Sequence, residues 1–163
     1  MSKLRVYVET SVWSFAFAED VPDYRADTLA FFERCRQGQF DVYASGVVLE
    51  EVARADVPLR KCLMNLIREC NPTLIDLTPT ADQLASAFVA HRIVPPNKPD
   101  DARHVAIAFA EEIDVLVSWN FRHIANVRRA ERFNAVALTL GYRRPLQITS
   151  PSEVFGEDEN DMD

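Results

Sequence analysis

Two hydrophobic patterns alternate along the chain. Short apolar runs rich in β-branched residues are typical of buried strands, whereas apolar positions that recur every three or four residues are typical of amphipathic helices. The first pattern predicts strands over residues 4–8, 40–44, 73–78, 114–118 and 145–149. The second pattern predicts helices over residues 26–38, 47–55, 59–70, 80–92, 100–112 and 128–141.

Strands that alternate with helices favour a parallel sheet covered by helices on both faces. We therefore expect an α/β fold, a three-layer α/β/α arrangement whose central, mainly parallel sheet has four to five strands. At 163 residues, the chain has the length of one domain with a substantial core. We assign residues 1–155 to this single domain and residues 156–163, GEDENDMD, to an acidic tail that we expect to be disordered.

The composition narrows the class of protein. Hydrophobic residues make up 48% of the chain and charged residues 26%, the balance of an ordinary globular protein. No apolar run approaches the roughly 20 residues that a membrane helix needs, and the first apolar stretch is too short for a secretory signal. We therefore expect a cytoplasmic protein with no membrane association. The cysteines lack the spacing of a metal site, so we expect them to fill the core; they are Cys35, Cys62 and Cys70.

Charge is distributed unevenly. The net charge of −7 alone argues weakly against nucleic-acid binding. However, residues 119–150 contain six arginines and one acid, while the last eight residues contain five acids. We expect Arg122, Arg128 and Arg129 either to contact an RNA backbone, which would add salt-dependent affinity, or to form an ordinary solvated face.

Several acids lie where the predicted sheet would gather them. Glu9 follows the first strand and Asn120 the fourth, so both should emerge at the carboxyl edge where parallel sheets bind ligands. Glu51 and Asp101 lie on neighbouring helices, and whether they reach this edge depends on packing. Clustered carboxylates raise one another's pKa unless a cation compensates them. Oxygen ligands without cysteine suit Mg²⁺ or Mn²⁺ rather than zinc.

Four short motifs, taken in order, resemble those of PIN-domain proteins, in particular the toxins of VapBC toxin–antitoxin pairs. The first is VYVETSV, an apolar strand that ends in an acid followed by Thr-Ser. The second, SGVVLEEV, has a serine six residues before Glu51, and the third, DARHVAIA, begins at Asp101. The fourth, LVSWNF, contains Ser118 and Asn120. The resemblance covers residues 4–155.

The resemblance implies a PIN-like fold and a metal-dependent endoribonuclease that hydrolyses RNA phosphodiester bonds. It also implies a homodimer inhibited by a cognate antitoxin protein. The family's first acid is normally aspartate, so the longer glutamate at this position is a departure, as is the neutral amide of the fourth motif. The alternative is therefore a catalytically inactive PIN-like domain that binds RNA or a protein. The implied catalytic and Mg²⁺ or Mn²⁺ ligands are Glu9, Glu51, Asp101 and Asn120, and the implied substrate-orienting residues are Thr10 and Ser118.

Several of these residues also have a structural interpretation. Glu9 could cap the segment that follows it, and Asp100 suits the first turn of a helix. We expect His104 to pack beside the site rather than to bind metal, and the sequence suggests no partner for His123. Three alternating aromatic residues fit a nucleobase platform, a core or a dimer interface; they are Trp13, Phe15 and Phe17.

Overall fold

The computed structural model describes residues 2–154, which contain five strands and seven helices. The strands are β1 (Leu4–Val8), β2 (Phe40–Ser45), β3 (Thr73–Ile75), β4 (Val115–Val117) and β5 (Gln147–Thr149). The helices are α1 (Thr10–Phe15), α2 (Pro22–Arg36), α3 (Gly46–Ala53), α4 (Val57–Cys70), α5 (Pro79–Ala90), α6 (Pro99–Ala110) and α7 (Val127–Thr139). Every predicted strand and helix is present. The acidic tail lies outside the described residues, and the assignment of one domain stays a prediction.

The five strands form one parallel sheet in the order β3-β2-β1-β4-β5. In its centre, Val6 of β1 pairs with Val42 of β2 and with Val115 of β4. Val6, Tyr7 and Val8 are fully buried, as expected for a strand covered on both faces. The predicted three-layer α/β/α arrangement is therefore confirmed, with five strands that are all parallel.

The helices form two groups around this sheet. α1, α2 and α4 contact one another, whereas α5 packs along α6 and against α7. Phenylalanines fill both groups: Phe31 contacts Phe32 and Phe40, and Phe88 meets Phe133 edge to face. Full burial of one such side chain contributes about 1.5–3 kcal/mol.

The order of the strands reverses between β1 and β4. The chain runs outward from β1 to β2 and β3, then returns to place β4 on the other side of β1. In parallel sheets a ligand-binding crevice forms at such a point, outside the carboxyl ends of the strands. Glu9 continues the pairing here, because its backbone N–H donates to the carbonyl of Val117 at 3.1 Å.

Some boundaries differ from the predicted ones. α1 was not predicted, since six residues are too few to display a helical period. α2 begins at Pro22 rather than at residue 26, because proline suits the first turn of a helix, where N–H groups lack intrahelical partners. α5 likewise begins at Pro79, with Thr78 as its cap.

Two expectations from composition can be compared with the structure. All three cysteines are free thiols; Cys35 and Cys70 are partly buried, but Cys62 is exposed, so core filling is the wrong role for Cys62. Within residues 2–154, no helix combines the length and apolar character needed to span a membrane.

Candidate functional site

Glu9 lies at the carboxyl end of β1 with only 4% of its surface exposed. Its Oε1 accepts hydrogen bonds from the hydroxyls of Ser11 at 2.6 Å and Ser118 at 2.5 Å. Its Oε2 accepts one from the backbone N–H of Ser11 at 3.0 Å, which makes Glu9 the N-cap of α1. A buried carboxylate needs such partners, so these three bonds explain how an acid can follow a buried strand. The capping interpretation of Glu9 is confirmed.

Two serine hydroxyls join Glu9 to the segment after β4. Ser11 Oγ accepts a hydrogen bond from the backbone N–H of Trp119, and Ser118 Oγ accepts one from that of Asn120, both at 2.9 Å. Each hydroxyl thus receives one proton and donates another to the carboxylate. The sequence analysis identified Ser118 but not Ser11, although Ser11 belongs to the first motif.

Glu51 reaches the same edge of the sheet from α3. Its Oε1 accepts hydrogen bonds from Thr10 Oγ1 at 2.8 Å and His104 Nε2 at 2.5 Å. Burial raises the pKa of the Glu51 carboxyl, but the bond and charge of His104 and the bond from Thr10 have the larger combined effect, so this pKa lies below its ordinary value. Glu51 Oε2 accepts no hydrogen bond from residues 2–154, which leaves it open to a ligand.

His104 of α6 is fully buried beneath the glutamates. Its Nδ1 lies 2.6 Å from the hydroxyl of Tyr7, which in turn lies 2.7 Å from Ser45 Oγ. Burial lowers the pKa of His104, but its bond to Glu51 and the charges of the nearby carboxylates raise the pKa above its ordinary value. His104 thus holds Glu51 Oε1 from the buried side of the site, and its expected position beside the site is confirmed.

Asp101 and Asn120 line the same polar cavity as Glu51, a cavity of about 560 Å³. His123 connects them: its Nδ1 donates to Asp101 Oδ2 and its backbone N–H to Asn120 Oδ1, each at 3.0 Å. Burial raises the pKa of Asp101, and the charge of Glu9 raises it further, against the opposing effect of His123. The role of His123 was missed, because no local spacing indicates a contact between a loop and α6.

These residues fit a divalent cation. Glu9, Glu51 and His104 each offer one ligand atom within 4.8 Å of the other two. Burial and the charge of Glu9 raise the pKa of Asp101 and so disfavour its ionised form, which a bound cation would favour. Asp101 Oδ1, like Glu51 Oε2, accepts no hydrogen bond from the described part of the chain. The three side chains whose ligand atoms lie within 4.8 Å of one another thus include two predicted ligands, Glu9 and Glu51. The third, His104, was not predicted as a ligand.

Four cationic side chains line the rim of the cavity: Arg54, Lys98, Arg103 and Arg122. Asp100 binds two of them, Arg54 at 3.1 Å and Arg103 at 3.0 Å. Asp100 also lies in the first turn of α6, as expected. Lys98 and Arg122 form no ion pair with residues 2–154, so both are open to an anionic ligand.

The remaining predicted RNA contacts differ in their surroundings. Arg128 is exposed near the start of α7. The guanidinium of Arg129 donates to the carbonyl of Ile93, in the loop before α6. This bond restrains Arg129, so Arg128 is the more accessible of the two cations.

The alternating aromatic residues that follow the first motif differ in their surroundings. Trp13 is fully buried, packs on Phe32 with ring centroids 4.9 Å apart, and donates to the carbonyl of Val8. The platform interpretation is therefore wrong for Trp13, which belongs to the core. Phe15 instead stacks on Trp119 at 5.9 Å.

The site draws on four separate parts of the chain: Glu9 follows β1, Glu51 lies on α3, Asp101 lies on α6, and Asn120 follows β4. This arrangement agrees with the motifs that resemble those of PIN domains, but membership of that family stays a prediction. Comparison of the chain with protein-family models and with curated proteins finds no match.

Proposed function

We propose that the protein is a Mg²⁺- or Mn²⁺-dependent endoribonuclease. One observation carries this proposal: Glu51 and Asp101 line a cavity with four cationic side chains, and Glu9 offers a ligand atom within 4.8 Å of one on Glu51. Carboxylate oxygens suit a hard divalent cation, and lysine and arginine suit the phosphates of a nucleic acid. The choice of RNA rests on the resemblance to PIN-domain toxins.

Hydrolysis of a phosphodiester joins a water oxygen to phosphorus and releases one ester oxygen, which takes up a proton. A bound Mg²⁺ or Mn²⁺ would supply positive charge for the phosphate oxygens and would lower the pKa of water. Glu9, Glu51 and Asp101 would hold the ion, with Asn120 beside them.

The protein's own contacts prepare this site. Thr10 and His104 fix Glu51 through the same oxygen, which directs the other oxygen to the cavity. His123 does the same for Asp101. Preorganised ligands of this kind avoid rearrangement when the substrate binds. Lys98 and Arg122 would bind the phosphates that flank the scissile bond.

The biological setting is also a proposal and rests on the family resemblance. As the toxin of a toxin–antitoxin pair, the protein would act in the cytoplasm as a homodimer. A cognate antitoxin would then inhibit it by covering the acidic cavity.

A specific observation favours a second candidate, an inactive domain of the same fold that binds RNA or a protein. Both carboxylate oxygens of Glu9 already accept hydrogen bonds, from Ser11 and Ser118. A cation would have to share or replace these bonds. If the hydrogen bonds of Ser11 and Ser118 to Glu9 persist, the protein would bind RNA or a protein without hydrolysing a phosphodiester bond.

Cleavage of a mixed pool of structured and single-stranded RNA, with Mn²⁺, Mg²⁺ or EDTA, tests the proposal. Glu51→Gln removes a charge from the site, whereas the matched control Glu50→Gln removes one from the adjacent exposed residue. We expect metal-dependent cleavage by the wild type and the control, and a loss of about 100-fold or more in Glu51→Gln. Equal activity of both variants, or activity in EDTA, would refute the proposal. Metal binding without cleavage would favour the inactive domain.

A further inference from the structure

Ser45 occupies the N-cap position of α3, but its side chain does not cap the helix. A serine at this position ordinarily accepts a hydrogen bond from a backbone N–H in the first turn. The side chain of Ser45 makes no such bond, and its Oγ lies 2.7 Å from the hydroxyl of Tyr7 on β1 instead. The serine thus forgoes the stabilisation that a cap provides and binds a buried tyrosine.

Tyr7 is fully buried in β1, the central strand of the sheet. A phenylalanine would fill nearly the same volume, and a buried hydroxyl costs free energy unless it has hydrogen-bond partners. The hydroxyl of Tyr7 has two partners: Ser45 Oγ and, at 2.6 Å, His104 Nδ1. The hydroxyl therefore links β1 to α3 on one side and to α6 on the other.

The bonds of His104 fix the direction of its ring. Nδ1 faces Tyr7, and Nε2 donates to Glu51 Oε1 at 2.5 Å, so the ring cannot turn without breaking both bonds. The hydroxyls of Tyr7 and Ser45 can each donate or accept, so the chain of bonds stays complete whether the imidazole is neutral or charged. This chain begins and ends at α3, because Ser45 precedes that helix and Glu51 lies within it.

The closed chain of bonds connects Tyr7 to a proposed metal ligand that it does not touch. The side chain of Glu51 is 26% exposed, so its carboxylate has room to turn unless its neighbours hold it. Thr10 holds Glu51 from one direction, and His104 holds it from the other. Residues that orient a metal ligand commonly change metal affinity by 10- to 100-fold when they are removed.

We infer that Tyr7 is a positioning residue, held by Ser45, that orients Glu51 through His104 for a divalent cation. The inference rests on the proposed function and adds two residues that determine how tightly the site binds its metal. Loss of the Tyr7 hydroxyl frees the imidazole at Nδ1, and the carboxylate of Glu51 then loses the fixed donor that directs its other oxygen to the cavity.

Mn²⁺ affinity, measured from the electron paramagnetic resonance signal of free Mn²⁺, tests the inference. Tyr7→Phe removes only the hydroxyl. Tyr43→Phe is the matched control, because Tyr43 pairs with Tyr7 in the sheet but its hydroxyl accepts a bond from Arg5 Nε, at 3.1 Å. We expect about 10-fold weaker Mn²⁺ binding for Tyr7→Phe and unchanged binding for Tyr43→Phe.

Two further measurements distinguish positioning from a general loss of structure. Ser45→Ala keeps the bond between Tyr7 and His104, so it should weaken Mn²⁺ binding less than Tyr7→Phe and should have no further effect in a Tyr7→Phe background. The KM for RNA at saturating Mn²⁺ should be unchanged in Tyr7→Phe, because no contact with RNA is lost. If circular dichroism shows that Tyr7→Phe does not fold, Ser45→Ala decides: weaker Mn²⁺ binding supports the inference, and wild-type binding overturns it.

The outcomes separate this inference from the nuclease proposal. Weaker Mn²⁺ binding by Tyr7→Phe but not by Tyr43→Phe supports the positioning role even where no RNA is cleaved, and in that case the nuclease proposal alone fails. Metal-dependent cleavage with equal Mn²⁺ affinity of Tyr7→Phe and the wild type overturns the positioning role and leaves the nuclease standing. Equal losses in the two tyrosine variants, or no Mn²⁺ binding by the wild type, also overturn the inference.

Discussion

Replacement of Asp101 by asparagine tests whether repulsion among carboxylates destabilises the metal-free site. Burial and the charge of Glu9 raise the pKa of Asp101, so the ionised form is less favourable in the folded protein than in the unfolded chain. Asparagine keeps an oxygen that can accept the bond from His123 but removes the charge. In EDTA at pH 7, Asp101→Asn should therefore unfold at a higher temperature than the wild type.

The magnitude follows from linkage. Each unit by which folding raises a pKa corresponds to about 1.4 kcal/mol in the free energy of unfolding. In a domain of this size, each kcal/mol corresponds to about 2–4 °C in the melting temperature. The gain from Asp101→Asn should be fully present above the folded-state pKa of Asp101. It should vanish below the unfolded-state value of about 3.9, where both states are protonated.

Addition of Mn²⁺ should reverse the order of the two proteins. A ligand at 100 times its dissociation constant stabilises the folded state by about 2.7 kcal/mol. The wild type should gain this stabilisation, whereas Asp101→Asn, which has lost one ligand charge, should gain much less. Differential scanning fluorimetry with a Mn²⁺ titration measures both effects.

Asp100 provides a matched control with the opposite sign. Burial raises the pKa of Asp100, but its bonds and charge pairs with Arg103 and Arg54 lower it more, so the net shift is downward. Asp100→Asn should therefore lower the free energy of unfolding at pH 7, by at most about 1 kcal/mol because Arg54 is exposed and Arg103 is partly exposed. This loss should disappear as the pH falls through the folded-state pKa of Asp100.

The reasoning fails if Asp101→Asn is destabilising in EDTA, or if Mn²⁺ stabilises Asp101→Asn as much as the wild type.

Two further predictions concern buried hydroxyls. Thr28→Val leaves the indole N–H of Trp119 without its acceptor and should lower the free energy of unfolding, measured in urea, by about 1–3 kcal/mol. Thr139→Val, at an exposed position of α7, should change it by less than about 0.5 kcal/mol, and equal effects of the two variants would contradict the role of the Trp119 bond. Ser118→Ala removes a donor to Glu9 and should lower the free energy of unfolding by about 1–3 kcal/mol. In a Glu9→Gln background the same change should lower it by less. A double-mutant cycle without coupling between the two positions would show that this bond does not stabilise the fold.

The layered fold could be predicted because strands and helices display different apolar periods. A parallel arrangement then places the residues that follow β1 and β4 at one edge, which is why Glu9 and Asn120 could be assigned to the site from sequence. Their hydrogen-bond partners could not be assigned in this way. Ser11, His104 and His123 take their roles from side-chain directions, and these depend on tertiary packing.

The aromatic residues show the same limit. If residues 13–17 formed a strand, one face of it would carry Trp13, Phe15 and Phe17. Residues 10–15 instead form a helix, in which successive side chains diverge by about 100°. Trp13 therefore points into the core. Two exposed aromatic residues whose rings do meet, Tyr24 and Phe121, come from α2 and the loop after β4, and no local pattern brings them together.

The Ser118–Glu9 bond described above joins residues 109 positions apart. A contact of such sequence separation can form only after a long loop closes, and in this fold the closure is the pairing of β4 with β1. No amino-terminal fragment that ends before β4 can contain the assembled acidic site. During synthesis, any activity of this site must therefore begin after most of the chain has been made, whatever the stability of the helices that formed earlier.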